Sequence, residues 1–269
     1  MNLLVDIGHS RVKCAVTERG DVVAECAAER LTAALLDRLL AEHPAARAIV
    51  SSTRGRQSEA AALVRSRIPA TLEFTQQTPV PIGNGYRSPE TLGLDRLAAA
   101  VGATELCPHR NVLMVDFGTA LTLDLVTADG VFRGGCISPG LRMRLQALHD
   151  GTAALPLCEP SEEWAASGTP RSASETETAP ETGTPEEDLL GGTTEEAIVR
   201  GVMQSIAFEV EGYADRLREK FADLCIIFTG GDAHFFEKRI KNTIFANRNP
   251  VFCGLERILE YNVREKYFG

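Results

Sequence analysis

No cluster of lysine and arginine occurs anywhere in the 269 residues. A dedicated nucleic-acid binder needs grouped cations to neutralise phosphates, so that class is not expected. No apolar run reaches the roughly 18 residues that a membrane-spanning helix needs, and no membrane association is expected. The opening stretch Met1-Asn2-Leu3-Leu4-Val5-Asp6 lacks a basic region followed by a long apolar segment, so no signal peptide is expected. Cys14, Cys26, Cys107, Cys136, Cys158, Cys225 and Cys253 include no CxxC pair and no nearby histidine set. They read as reduced, mostly core thiols of a cytoplasmic protein, and a structural zinc site is not expected. His43, His109, His149 and His234 have no ligand spacing and read as surface or capping residues.

What is present is the balance of an ordinary globular chain, 44% hydrophobic and 24% charged, with a net charge of −9. The length allows two modest domains or one large one. Nearly all the net charge sits in one place. Residues 159–188 hold nine acidic side chains and one basic one, Arg171. Their Ser-, Thr-, Pro- and Glu-rich stretch 167–185 has almost no large apolar side chains. It cannot bury enough surface to offset the entropy of ordering, so the segment reads as a disordered surface loop.

An internal repeat organises the rest. Residues 3–20 aligned with 113–130 share Leu3/Leu113, Val5/Val115, Asp6/Asp116, Gly8/Gly118, Val16/Val126, Thr17/Thr127 and Gly20/Gly130. In each copy an apolar run predicts a buried strand ending in aspartate. Asp-x-Gly then makes a tight turn into a second strand (Arg11 to Thr17; Ala120 to Thr127). A turn at Arg19-Gly20-Asp21 or Asp129-Gly130 leads to a third. Helical spacing follows at Leu31 to Glu42, Ser58 to Arg67 and Leu92 to Gly102, and then at Leu141 to Leu148, Thr194 to Phe221 and Gly254 to Asn262. This order predicts an α/β protein of two duplicated domains, 1–108 and 109–269.

The repeated turn has the chemistry of a phosphate site. A strand-end aspartate can hold a hydrated divalent cation, and the turn offers backbone N–H groups and the hydroxyls of Ser10, Thr119 and Thr122. Two such turns facing across a cleft would grip a triphosphate. A third glycine turn follows the apolar run Leu224 to Phe228, at Thr229-Gly230-Gly231-Asp232. Adjacent glycines let a base or ribose lie against the backbone.

Together the three turns resemble the phosphate and adenosine motifs of the actin, sugar-kinase and heat-shock-protein-70 superfamily. Finer motifs resemble the type III pantothenate kinases. They are Asp6-Ile-Gly-His-Ser-Arg-Val-Lys13, Tyr86-Arg-Ser-Pro-Glu-Thr-Leu-Gly-Leu-Asp-Arg96, Asp116-Phe-Gly-Thr-Ala-Leu-Thr-Leu-Asp124, Gly134-Gly-Cys-Ile-Ser-Pro-Gly140, Thr152-Ala-Ala-Leu-Pro156, Gly191-Gly-Thr-Thr194 and Thr229-Gly-Gly-Asp232. The resemblance implies duplicated actin-like (ribonuclease H-like) domains with an ATP cleft between them. It implies transfer of the ATP γ-phosphate to pantothenate, the first step of coenzyme A synthesis.

By the same resemblance Asp6, Gly8, His9, Ser10 and Lys13 cradle ATP phosphates, Thr119 contacts the nucleotide, and Gly230 and Gly231 belong to the adenosine motif. Asp116 holds a monovalent cation, potassium or ammonium, beside the Mg²⁺ that accompanies ATP. Tyr86, Gly93, Leu94, Asp95, Arg96 and Thr194 contact pantothenate, with Asp95 the proton acceptor. A homodimer is implied, its acceptor pocket built partly by the partner subunit. Pantothenate is a carboxylate, which suits bidentate contact from Arg96, and Asp95 is positioned to take a hydroxyl proton. Two departures stand out: His9 replaces the family's usual Asn, and the acidic insert is additional. A non-catalytic regulatory relative and a kinase for another small acid or sugar are the alternative readings. The stretch from Tyr86 to Arg96 argues against the second, and intact Asp6, Lys13, Asp95, Arg96 and Asp116 against the first.

Overall fold

The computed structural model describes residues 1–8, 10–52, 57–166, 189–221, 223–240, 244–245 and 249–268. His9 and the bulk of the acidic insert, 167–188, lie outside the described residues.

The run Leu3-Leu4-Val5 lies in β1 (Asn2–Ile7), which turns back through β2 (Val12–Glu18) and β3 (Asp21–Ala28). Arg19 and Gly20, both at positive φ (54° and 89°), make the tight β2–β3 turn. β1 pairs antiparallel with β2 and parallel with β4 (Arg47–Ser52). With β5 (Thr71–Glu73) this gives a five-stranded sheet of order β3-β2-β1-β4-β5.

Alternation along the strands splits their apolar residues between two faces. Leu3, Val5, Cys14, Val16 and Val50 pack with Leu36 and Leu39 of α1 (Ala33–Glu42) and with Ala61 and Val64 of α2 (Gln57–Arg65). Leu4, Ala15 and Ile49 pack the other way, with Leu97 and Val101 of α3 (Leu94–Leu106) and Phe252, Leu255 and Ile258 of α7 (Pro250–Phe268). Burial on both faces is why β1 and β4 read as continuous apolar runs. α3 and α7 approach through glycine. A Cβ at Gly102 would fall 1.9 Å from the Pro250 carbonyl oxygen, and one at Gly254 would fall 1.7 Å from that of Ala98.

The second copy of the repeat forms β7 (Val112–Phe117), β8 (Ala120–Thr127) and β9 (Val131–Pro139), with Gly130 at positive φ (72°) in the β8–β9 turn. With β6 (Gly83–Asn84), β10 (Cys225–Thr229) and β11 (Ile244–Phe245) they make a six-stranded sheet of order β11-β10-β7-β8-β9-β6. The helices of this half are α4 (Leu141–Asp150), α5 (Glu162–Ala166) and the long α6 (Thr194–Arg218). Two compact units divide the chain, 1–112 with 124–134 and 246–269, and 113–123 with 135–245. The chain therefore crosses several times: β8 and β9 contribute to both units, and α7 returns to the first.

In the second unit Phe117 stacks on Phe236 (ring centroids 4.7 Å apart) and meets Phe228 edge-on at 4.9 Å. Trp164, the only tryptophan of the chain, packs edge-on against Phe236 at 5.8 Å. Buried Arg239 lies over its ring and donates to its carbonyl oxygen. Residues 159–166, the start of the acidic segment, are thus ordered: α5 tucks Trp164 into the core, and Arg142 pairs with Glu159 at 2.9 Å. The expectation of a loop there gave too little weight to one large apolar side chain. Among the described residues no helix is long and apolar enough to cross a membrane.

Candidate active site

In the first unit, the end of β1 presents Asp6, only 7% exposed. The sheet register sets Lys13 of β2 and Ser51 of β4 directly beside it, so the three share one face at the strand ends. The Gly8 N–H donates to the Arg11 carbonyl at 3.0 Å and closes the turn, while Ser10 and Lys13 remain exposed. Ser51 is fully buried, and its Oγ has no hydrogen-bond partner among the described residues. A polar pair, Ser51-Ser52, closing the apolar run Ala48-Ile49-Val50 was the signal in the sequence that could have singled it out.

The first unit also builds a second constellation at the start of α3. Asp95 stands in the first helical turn and accepts the Arg96 backbone N–H at 2.8 Å. Its carboxylate folds back so closely that a Cβ at Gly93 would lie 2.5 Å from Oδ1. Gly93 is the residue that makes this placement possible. Leu94 is buried and anchors the helix start.

Arg96 is not the exposed cation that a helix-start Asp-Arg pair suggests. It is 9% exposed, and its Nε and Nη2 donate side-on to Asp124, itself 1% exposed, at 3.0 Å and 2.5 Å. Its guanidinium carbon lies 5.7 Å from the Tyr86 ring centroid and 5.9 Å from that of Phe132. Tyr86 is held in turn by the Asn84 side chain, which accepts its N–H at 2.9 Å, and by Phe132 at 5.9 Å. Burial pulls the Arg96 guanidinium down, but Asp124 and Tyr86 together outweigh it and the net direction is up. Burial pushes the Asp124 carboxyl up, with Arg96 opposing and Asp95 adding to the rise. Tyr86, Gly93, Leu94, Asp95 and Arg96 are therefore brought together. Asp124, which sequence reasoning assigned no role, fixes the cation among them. The side-on edge of Arg96 is occupied by Asp124, and Tyr86 interacts with the same guanidinium.

In the second unit, the turn from β7 to β8 is cradled by two glycines. Gly230 follows β10 at φ +98°, and a Cβ there would lie 2.5 Å from both Asp116 Oδ1 and the Phe117 carbonyl oxygen. A Cβ at Gly140 would lie 2.4 Å from the Thr119 carbonyl oxygen. Backbone bonds from Gly140 to Thr119 and from Asp232 to Phe117 fasten the same turn. A Cβ at Gly231, by contrast, meets nothing within 4 Å in the chain. Burial pushes the Asp232 carboxyl upward, with Arg142 and then His234 opposing.

Thr119 is exposed at the tip of the turn, and Thr194 is exposed in the first turn of α6. That helix starts on Thr193, whose side chain accepts the Glu196 N–H at 3.2 Å, while Glu196 accepts the Gly192 N–H at 2.8 Å. Thr194 belongs to a different unit from Tyr86 and Arg96.

These two aspartate turns, the glycine turn and the Gly93–Arg96 helix start sit within a sequence whose residues 2–216 match the model of the family described as type III pantothenate kinase. The chain belongs to the type III pantothenate kinase family.

Relatives of that name extend over almost its whole length. One from Porphyromonas gingivalis is 39% identical over 262 residues, covering 97% of this chain and 99% of its own. One from Phocaeicola vulgatus is 37% identical over 263 residues with the same coverage. Among solved structures, the fold is similar to the activator of 2-hydroxyisocaproyl-CoA dehydratase from Clostridium difficile, solved with bound ADPNP. That match has a TM-score of 0.51 and 13% identity, covering 100% of this chain and 98% of the other. Component A of (R)-2-hydroxyglutaryl-CoA dehydratase from Acidaminococcus fermentans matches with a TM-score of 0.52 and 16% identity over 96% of each chain. The fold is α/β with duplicated actin-like domains.

Proposed function

We propose that this chain transfers the γ-phosphate of ATP to the primary hydroxyl of pantothenate, giving 4'-phosphopantothenate, the first step of coenzyme A synthesis. The observation that carries this reading is the Gly93–Arg96 helix start, where a carboxylate and a clamped guanidinium sit side by side. The end-on edge of Arg96 meets the pantothenate carboxylate, with Tyr86 against the same cation and Thr194 contributing a hydroxyl. The Asp95 carboxylate takes the proton of the attacking hydroxyl as its oxygen bonds to the γ-phosphorus and the bond to ADP breaks.

His9, Ser10 and Lys13, on the turn that Asp6 and Gly8 open, hold phosphate oxygens, and Thr119, Gly230 and Gly231 hold the nucleotide. Buried Ser51, beside Asp6 with an unused hydroxyl, joins the phosphate set. Asp6 suits Mg²⁺ accompanying ATP, being a hard oxygen donor at a strand end. Asp116 suits a monovalent cation, potassium or ammonium: Gly230 and Gly118 leave room around its Oδ1 that a Cβ would fill, and carbonyl oxygens of the turn lie close by. A cation there supplies positive charge toward the phosphates.

The active species is a homodimer in the cytoplasm. Ile137, Met143, Phe208 and Tyr213 are 63%, 47%, 57% and 39% exposed on β9, α4 and α6, which Ser138, Arg144 and Glu209 tie together by hydrogen bonds. So much exposed apolar surface around one network suits a second copy of this chain. The reduced state of all seven cysteines suits the compartment. ADP release by the purified protein, with ATP and Mg²⁺ in parallel potassium and sodium buffers, tests the reading. Pantothenate-dependent, potassium-dependent release is expected, and release indifferent to pantothenate overturns it.

A further inference from the structure

Cys14 and Cys26 are register partners in the β2–β3 ladder. Residues directly opposite in an antiparallel pair have Cα atoms about 4.5–5.5 Å apart. Disulfides form at Cα separations of about 4.4–6.8 Å, so either type of ladder pair suits one. Opposite partners also project to the same face. Here that is the face covered by α1 and α2, where Cys14 is part of the core and Cys26 packs against its edge. The two thiols are close enough for Cys26 to act on the titration of Cys14.

Access differs between them. Cys14 is fully buried, whereas Cys26 is half-buried and lines a surface cavity of about 340 Å³. Arg38, His43, Glu25 and Glu42 line that cavity together with Ala24, Leu35 and Leu39, and it opens to the surface. We propose that Cys14 and Cys26 form a redox pair that hydrogen peroxide converts into a reversible cross-strand disulfide.

The order of events follows from the burial. Burial pushes the Cys14 thiol up, with Cys26 and Asp6 adding to it, so Cys14 holds its proton and Cys26 reacts first. The Cys26 thiolate attacks one peroxide oxygen, the O–O bond breaks, and the departing hydroxide becomes water with the proton Cys26 gave up. Cys26 is left as a sulfenic acid. The Cys14 sulfur then attacks the Cys26 sulfur, the S–O bond breaks, and the hydroxide leaves as water with the Cys14 proton. Two thiols lose two electrons and two protons in all, and one peroxide is reduced to two waters. The new bond clamps β2 to β3 one residue from Lys13, a role for this hairpin that lies beyond phosphoryl transfer.

Peptide mapping tests the pair on the intact protein. Trypsin cuts after Lys13, Arg19 and Arg30, which places the two cysteines in separate peptides, 14–19 and 20–30. The chain is treated with hydrogen peroxide or with dithiothreitol, its remaining thiols are alkylated under denaturing conditions, and the digest is read by mass spectrometry. A disulfide-linked 14–19/20–30 peptide is expected after peroxide. It should be lost on later reduction and absent from Cys26→Ser, which is conservative at a half-buried site. Both peptides recovered alkylated after peroxide, or Cys26 recovered as sulfinic acid with Cys14 alkylated, overturns the proposal. The mapping needs no turnover, so its outcome is separate from that of the kinase reading.

Discussion

The guanidinium of Arg96 meets Asp124 along its side, Nε to Oδ2 at 3.0 Å, with both residues buried. Three consequences follow from that one bond pair. The cation is held in a single orientation, part of its charge is already balanced, and its side-on edge is already engaged. Under the proposed function, Asp124 acts on the acceptor through Arg96 as a positioning residue. Asp124→Asn keeps the shape and one acceptor but removes the charge. KM for pantothenate is expected to rise by about tenfold, equivalent to ~1.4 kcal/mol, while KM for ATP stays near the parent value. Steady-state kinetics with each substrate varied in turn checks the split; an equal change in both would assign Asp124 a merely structural role.

The same pair predicts a pH dependence of stability. Burial raises the Asp124 carboxyl above its ordinary range, Arg96 pulls it back only in part, and Asp95 adds to the rise. A carboxyl raised in the folded state binds its proton more tightly there than in the unfolded chain. Its ionised form thus costs stability at neutral pH, and the cost is relieved as pH falls from above the folded value to the unfolded one. The stability of the parent protein relative to Asp124→Asn should rise on acidification, beginning above the ordinary carboxylate range. Urea unfolding of both proteins across a pH series reads this directly, and a difference that falls on acidification contradicts it.

Gly230 and Gly231 should separate structure from ligand contact. Gly230→Ala forces a side chain into positive φ and onto Asp116 and Phe117. A loss of about 1–3 kcal/mol in stability is expected, with loss of turnover. Gly231→Ala meets no atom of the chain, so stability should stay within about 0.5 kcal/mol. KM for ATP should nevertheless rise, because the proposed nucleotide site takes in the space beside Gly231. Thermal unfolding and ATP kinetics on the two variants provide the comparison.

Phe208→Glu places a charge among the exposed apolar residues of β9, α4 and α6. Light scattering should show the parent as a dimer and the variant as a monomer with unchanged far-ultraviolet circular dichroism. Turnover should fall with dimer content, because the proposed function has the acceptor pocket built partly by the partner subunit. A variant that stays dimeric would move the interface elsewhere.

Much of this was legible in the residues. The offset repeat found both three-stranded units, because identical strand-turn-strand chemistry recurs where Asp6 and Asp116 end their strands. Gly93-Leu94-Asp95-Arg96 was legible through its resemblance to the family's motif, since an Asp-Arg pair at a helix start is ordinary by itself. Asp124 did not, since its meaning depends on β8 lying beside α3, and no local pattern encodes that pairing. Ser51 left a local signal, a polar pair closing an apolar run, but its place next to Asp6 depends on the parallel register of β1 and β4. Helix ends drifted by a few residues where caps decide them. The last helix starts at Pro250, several residues ahead of the Gly254 expected from spacing, because Pro is suited to the first turn. Trp164 shows the opposite limit, one apolar side chain ordering a stretch whose composition is that of a solvated loop.

The central claim is that Asp95 takes the proton of a pantothenate hydroxyl during phosphoryl transfer from ATP. Its most direct test is detection of 4'-phosphopantothenate by mass spectrometry after incubation of ATP, Mg²⁺ and pantothenate in potassium buffer with the parent protein and with Asp95→Asn. The account predicts that the parent forms the product stoichiometrically with ADP, while the variant binds ATP with unchanged affinity and forms the product at a rate lower by about 10²-fold or more. Product formed by Asp95→Asn at the parent rate, or ADP released by the parent protein without phosphorylated pantothenate, would contradict it.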